Sequence, residues 1–300
     1  FRRTSEFRKI QEVLSKAQND LEILAKNGGK IKGLTTGFGE LDSLTEGLHA
    51  TQLIILAARP AVGKTAFALN LGLAAAKSTK KNIAIFSLEM PAEQLIMRMI
   101  SNLGQIDNKK LATGKLENDD WKRFNEAISI LADTNIYFHD AGGITPSEIK
   151  AKCRRLATQG DGLGLVIIDY LQLIDSSSKY SGSRQQEVSE ISRALKTMAL
   201  ELEVPVVALS QLSRSVEKRE DKKPVLSDLR ESGSIEQDAD IVAALHAPEV
   251  EAPSGDEVPT PIQLIILKHR NGPTKTIDLL FKKKTSTFLS IRRDDGHIAK

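Results

Sequence analysis

The chain has 300 residues, of which 40% are hydrophobic and 27% charged, with a formal net charge of +3. That composition excludes a wholly disordered chain, and the length suits two domains or one large α/β domain with an extra arm. The charge is too small for a global pull on a polyanion, so any such contact must come from local clusters.

Residues 1–27 are predicted to be a helix. Phe7, Ile10, Leu14, Ala17, Leu21 and Leu24 alternate steps of three and four, which makes a narrow apolar stripe that needs a partner. Asn27, Gly28 and Gly29 stop it. Periodicity leaves two destinations open, the helix's own domain or a neighbouring copy. With Phe1 in place of an initiator Met and no signal-peptide pattern, the chain reads as a piece of something longer. Residues 33–49 are rich in turns, with a short helix around Glu40–Leu44.

From Gln52 onward, short apolar runs alternate with helical patterns. The runs are 52–57, 83–88, 135–138, 165–169, 204–209, 240–245, 262–267, 276–281 and 287–291. The helices are expected at 64–77, 91–102, 118–132, 146–158 and 184–202. Continuous apolar runs suit strands buried on both faces, and the alternation predicts an α/β doubly wound, mostly parallel sheet. The last strands have short connections and are expected as antiparallel additions at the C-terminal end. The single cysteine, Cys153, excludes an internal disulfide and a cysteine-built zinc site, and reads as a reduced spectator in a cytoplasmic protein. No apolar run is long enough to span a membrane. Ser176–Ser183 and the acidic, proline-rich Ala247–Pro261 are expected as surface excursions, and the second is assigned no function.

The chemistry starts where strand 52–57 runs into Ala58-Arg59-Pro60-Ala61-Val62-Gly63-Lys64-Thr65, with Ala66 continuing into the helix. This is the phosphate-loop pattern, with Ala58 where the first glycine usually stands. Its backbone N–H groups and the helix N-terminus can cradle phosphates. Lys64 would reach the β- and γ-phosphates and Thr65 would hold Mg²⁺. Leu165–Asp169 is a buried strand ending in a carboxylate, which places Asp169 on the metal side. Strand 83–88 ends in Glu89. As the first strand after the phosphate-loop helix it is expected beside the loop, which makes Glu89 the candidate base that orients water. Gln211, at the end of the 204–209 strand, is the candidate γ-phosphate sensor.

Together these pieces resemble the ATPase domain of the DnaB family of replicative helicases, a RecA-like P-loop NTPase fold. The resemblance rests on Thr36-Gly37-Phe38-Gly39-Glu40-Leu41-Asp42, the phosphate loop, Phe86–Met90, Val166–Leu173, Arg184–Ser192, Leu209–Ser213, Asp228–Asp240 and Lys268–Pro273, in order over residues 30–275. It implies an ATP- and Mg²⁺-dependent motor that works as a homohexameric ring on single-stranded DNA, with 5′ to 3′ travel. Primase and a helicase loader are implied partners, largely through an N-terminal collar domain not seen in this sequence. Lys268 and Arg270 match the family's trans-acting pair, given by one subunit to ATP bound next door. Arg230, Glu231 and Gly233 match its DNA-holding loop. Residues 1–32 match its linker helix, which packs on the adjacent subunit, and 33–300 its RecA-like domain.

Lys268 and Arg270 alternate along a strand end, so both can point to one side. No aromatic residue lies between Tyr180 and Phe281, which favours backbone gripping over base stacking near Arg230. Lys218, Arg219, Lys222 and Lys223 interleave with Glu217, Glu220 and Asp221 and read as a solvated mixed-charge loop, as does Lys282–Lys284. Two other classes could use the same phosphate site. One is a RecA-like ring that switches with ATP without gripping nucleic acid. The other is a small-molecule phosphotransferase, whose lid and acceptor pocket are not legible here.

Overall fold

In the computed structural model, the apolar runs become a nine-stranded sheet in the order β3-β2-β4-β5-β1-β6-β7-β8-β9. The strands are β1 (Leu53–Ala58), β2 (Asn82–Ser87), β3 (Ile136–His139), β4 (Leu163–Asp169), β5 (Val206–Gln211), β6 (Ile241–His246), β7 (Thr260–His269), β8 (Thr276–Lys282) and β9 (Thr287–Ser290). The helices are α1 (Ile10–Lys26), α2 (Gly39–Thr45), α3 (Lys64–Ser78), α4 (Ala92–Gly104), α5 (Asn108–Thr113), α6 (Asn118–Ala132), α7 (Pro146–Ala157), α8 (Arg184–Leu202) and α9 (Gly233–Asp238). The structure describes residues 7, 9–26, 31–174, 184–219, 221–229, 233–248 and 258–291. The excursions at 176–183 and most of 247–261 therefore lie outside the described residues.

The pairs from β3 to β6 are parallel, and β6·β7, β7·β8 and β8·β9 are antiparallel. All six residues of β1 and all six of β2 are buried, because helices cover both faces of the sheet. The period of two divides them. Ile54, Leu56, Ile83, Ile85, Leu165, Ile167, Val207 and Leu209 join the core under α3. Leu53, Ile55, Ala84, Phe86, Val166, Ile168, Val206 and Ala208 join the core under α7 and α8. Cys153 is buried in that second core, where loss of solvation pushes its thiol up to about 12.

Helix starts follow their caps. Thr145 accepts from the Glu148 N–H, Glu148 reaches back to the Thr145 N–H, and Pro146 takes the first turn, a capping box that begins α7. The turn-rich segment before β1 is closed by one carboxylate. Asp42, buried on α2, accepts from the Thr36 N–H at 2.8 Å and the Thr36 hydroxyl at 2.7 Å. This gives the Thr35-Thr36…Asp42 spacing a structural reason.

A run of aromatics ties the C-terminal hairpin to α3. Phe38 stacks on Phe67 with ring centroids 4.8 Å apart, Phe67 meets Phe288 edge-on at 5.1 Å, and Phe288 stacks on Phe281 at 4.3 Å. Asn70 on α3 completes the join, donating to the Ser286 carbonyl at 2.9 Å and accepting from the Phe288 N–H at 3.0 Å. The hairpin therefore abuts the phosphate loop.

Two expectations need correction. The first strand after the phosphate-loop helix does not lie beside the loop. The crossover through α3 places β2 three positions from β1, with β4 and β5 between them. The 217–223 charges are not simply solvated either. Arg219 is bound to buried Asp228, and Glu217 to Arg59. Helix α1 forms as expected, and its stripe faces solvent, with Ile10 68%, Leu14 60% and Leu21 67% exposed.

Candidate active site

The phosphate loop leaves β1 at its C-terminal end and enters α3, as strand, loop and helix in the sequence require. Ala61 and Gly63 hold positive φ, 66° and 105°. Gly63 is required on two counts. Its φ suits glycine, and a Cβ there would sit 2.9 Å from Phe281 Cε1 and 3.1 Å from Phe288 Cζ. The loop opens on a cleft of about 910 Å³. Its walls include Ala58, Arg59, Pro60, Ala61, Gly63, Lys64, Thr65 and Ala66 from the loop and α3, Glu89 beyond β2, and Gln211 at the end of β5. Val62 instead packs toward the core under α3.

Lys64, Thr65 and Asp169 form the centre. Thr65 Oγ1 donates to Asp169 Oδ2 at 2.6 Å, and Lys64 Nζ lies 3.8 Å from Asp169 Oδ1. Lys64 Nζ also sits 4.5 Å from the centre of the Tyr170 ring, a cation–π contact that no sequence pattern announces. Burial lowers the Lys64 pKa from its ordinary value, while the Asp169 and Glu89 charges hold it up. A buried ammonium with so little counter-charge is the partner a phosphate would complete.

Asp169 is 3% exposed, and its Oδ1 is buried with no hydrogen-bond partner. Beside the Thr65 hydroxyl, that orphaned carboxylate oxygen is the donor set that Mg²⁺ takes together with substrate phosphates. Among the described residues, no group of three His, Cys, Asp or Glu could hold a metal without such help.

Glu89 reaches the cleft although its strand is not adjacent to β1, because β2, β4, β5 and β1 all end at the same edge of the sheet. Gln211 pairs in register with Ala58, at the mouth of the phosphate loop. Arg59 contributes to the loop through its backbone. Its guanidinium turns away, with Nε and Nη2 donating to Glu217 Oε1 at 2.8 and 2.6 Å and Nη1 to the Leu212 carbonyl at 2.8 Å. Arg98, Phe281 and Lys283 line the far wall, and no motif in the sequence singles them out. They come from segments distant in the chain, so only the fold brings them together.

Lys268 and Arg270 are absent from this cleft. Because β7 runs antiparallel to β6, its Leu264 faces Leu245 near the phosphate-loop edge, and its His269 faces Ile241 at the opposite edge. Lys268 Nζ donates to the carbonyls of Glu236 and, at 2.7 Å, Ala239. Arg270 Nη2 donates to the Gln237 carbonyl at 2.8 Å, and its Nη1 lies 3.3 Å from Asp240 Oδ1. The C-terminal carbonyls of α9 thus hold both cations on one side. Burial, then the neighbouring Arg270 charge, lowers the Lys268 pKa, against the pull of Asp240, Glu236 and Asp238.

Arg230 and Glu231 lie outside the described residues, and Gly233 is the first residue of α9. The segment leading to them is firmly held. Asp228, 1% exposed, accepts from Arg219 Nη1 at 2.9 Å, from Arg219 Nη2, and from the Val225 N–H at 2.7 Å. Burial pushes the Asp228 pKa up, and these donors outweigh it, so the net shift is downward.

A phosphate loop on β1, a metal-side carboxylate at the end of β4 and antiparallel strands closing one side define a RecA-like P-loop domain. The family model of the DnaB-like helicase C terminal domain matches residues 33–290, and the chain belongs to that family. It is 52% identical over 287 residues to the replicative DNA helicase DnaB of Geobacillus stearothermophilus, covering 96% of this chain and 63% of the relative. It is 51% identical over 297 residues to the replicative DNA helicase DnaC of Bacillus subtilis (strain 168), covering 98% and 65%. The chain therefore spans slightly less than two thirds of the length of these relatives. Among solved structures it is similar to an isolated ATPase domain, with TM-score 0.88, 38% identity, and coverage of 96% of this chain and 100% of that one. It is also similar to a DnaB-like replicative helicase described with its interactions with primase, with TM-score 0.84, 38% identity and coverage of 96% and 68%.

Proposed function

We propose that this chain is the motor domain of a replicative DNA helicase, which hydrolyses ATP at the interfaces of a homohexameric ring to move along single-stranded DNA. One observation carries the ring in particular. The nucleotide cleft and the Lys268–Arg270 pair lie at opposite edges of one sheet, so the pair serves a site only on another copy.

The residues divide the work. Backbone N–H groups of 58–66 cradle the phosphates, and Lys64 meets their charge. Thr65 and Asp169 hold the Mg²⁺, which neutralises charge developing on the phosphates when it is bound with ATP. Glu89 accepts the proton of the attacking water, and Gln211 reports the γ-phosphate. Lys268 and Arg270 of one subunit stabilise charge at the cleft of the next. Arg230, Glu231 and Gly233 hold the DNA backbone without reading its sequence. Residues 1–32 link subunits, with the exposed stripe of α1 packing on a neighbour. Primase contact follows from the relative described with primase, a loader from the family, and a cytoplasmic setting from both. Among the described residues no helix is long and apolar enough to cross a membrane.

The test is the ATPase rate with and without single-stranded DNA, at low and moderate salt, over a protein concentration series. Stimulation that fades with salt, and activity that rises faster than linearly with concentration, support the reading. A rate indifferent to DNA from a chain that sedimentation shows to be assembled refutes it.

A further inference from the structure

The side chain of Arg59 is unusual for a phosphate loop, because it faces away from the cleft. Its backbone neighbour, the Ala58 carbonyl, accepts from the Leu212 N–H at 3.0 Å, and its guanidinium spans the Leu212 carbonyl and the Glu217 carboxylate. Leu212 in turn forms a bridge with Leu229, and the Ser213 N–H donates to the Asp228 carbonyl at 2.8 Å. Asp228 is clamped by Arg219, two residues after Glu217. Two hydrogen-bonded steps therefore connect the phosphate loop to Leu229, and Arg230 comes next in the chain.

The Arg59 side chain is 18% exposed and that of Glu217 is 56% exposed. A partner this open adds little to folding, so stability is a poor reason for the pair. An arginine held through two nitrogens fixes direction as well as distance, which suits a part that must transmit a shift. We propose that Arg59 is a positioning residue that ties the phosphate loop to the 212–229 segment through Glu217, so that filling the nucleotide cleft moves that segment. Gln211 and Leu212 are adjacent, but the Arg59 link does not pass through the Gln211 side chain. The link rests on the motor reading only for its output at Arg230.

The test uses the 300-residue chain with Mg²⁺ and a non-hydrolysable ATP analogue. Three quantities are read: analogue affinity, hydrogen exchange of amides 213–229 with and without analogue, and the effect of analogue on affinity for a fluorescent oligo(dT). In the unaltered chain, analogue changes exchange across 213–229 and shifts oligo(dT) affinity by about tenfold or more. Glu217→Ala keeps analogue affinity within about twofold and loses both responses. Arg59→Ala loses the exchange response as well, and the double variant is no worse than either single one.

A Glu217→Ala chain with an intact exchange response overturns the proposal. So does Arg59→Ala weakening analogue affinity by about tenfold while Glu217→Ala changes nothing, which would make Arg59 a phosphate ligand. The motor reading fails separately. If the unaltered chain ignores oligo(dT) but Glu217→Ala still abolishes the exchange response, the link stands and the DNA reading falls.

Discussion

The opposed placement of the cleft and the Lys268–Arg270 pair sets up a subunit-mixing experiment whose size can be worked out. Arg270 bonds at the level of Asp240, whose N–H donates to the Leu53 carbonyl, while the phosphate loop begins after Ala58. The strand between those levels covers about 17 Å, at about 3.3 Å per residue. A guanidinium reaches about 7 Å from its Cα, so Arg270 does not touch its own cleft. Lys64→Ala alone, or Arg270→Ala alone, should lower turnover by about 10³–10⁵. Mixed in equal amounts under conditions that allow exchange, they should recover activity. An interface works when its cleft comes from the Arg270→Ala copy and its pair from the Lys64→Ala copy, which is about a quarter of all head-to-tail interfaces. The assay is phosphate release over a series of mixing ratios, with a maximum near equality. A mixture no more active than its two components, from copies shown to exchange, would refute the trans assignment.

Three further outcomes are expected. Glu89→Gln should bind the ATP analogue normally and lose about 10²–10⁴ in turnover, and near-normal turnover would move the base to another residue. Gly63→Ala forces a side chain into a φ of 105° and against Phe281 and Phe288. The backbone costs about 1–2 kcal/mol and the overlap about 1–3 kcal/mol. Calorimetry should therefore show Tm falling by about 4–10 °C, and a fall under about 1 °C would refute the packing account. The lowered Asp228 pKa gives a signed pH dependence. A carboxylate depressed in the folded state stabilises above its unfolded value and loses that contribution as pH falls through the folded one. Exchange over 213–229 should therefore rise as pH drops below about 4, and Asp228→Asn should abolish that dependence. A loop equally protected across that range in both proteins would contradict it.

The sheet is legible in the sequence because its physics is local and repetitive. Each apolar run between helical patterns, from 52–57 to 287–291, is a strand, since a strand covered on both faces must be apolar throughout. What escapes is short or distant. Helices α5 and α9 have six residues each, too few for a 3.6-residue period to show. Glu89 reaches the cleft for a reason other than adjacency to the loop. Chain order says nothing of two strands inserted between β2 and β1, and the residue arrives there because parallel strands end together. The site's pairings are the least legible part. Arg59 and Glu217 are 158 positions apart, and neither type nor spacing marks them as partners. In sequence Arg219 is one charge in a mixed run, and only burial of Asp228 makes it a clamp. Arg230 and Glu231 lie outside the described residues, so their part rests on the family resemblance.

The direction of the parallel strands gives the fold its polarity, and that polarity bears on assembly. β1, β4 and β5 deliver Lys64, Asp169 and Gln211 to one edge because each functional residue follows or ends its strand. β7 runs the other way and ends at the far edge, where the α9 carbonyls hold Lys268 and Arg270. A two-fold contact between identical faces would set cleft against cleft and pair against pair, leaving both incomplete. A head-to-tail contact sets each cleft against the next copy's pair, and repeating it by rotation closes a ring. Hydrolysis would then respond to a neighbour's geometry. Arg270 shares Asp240 with Lys196 of α8 and with the first N–H of β1, so the pair is anchored to the strand that carries its own subunit's phosphate loop. A shift of one cleft would be passed through that node to the next site in the ring.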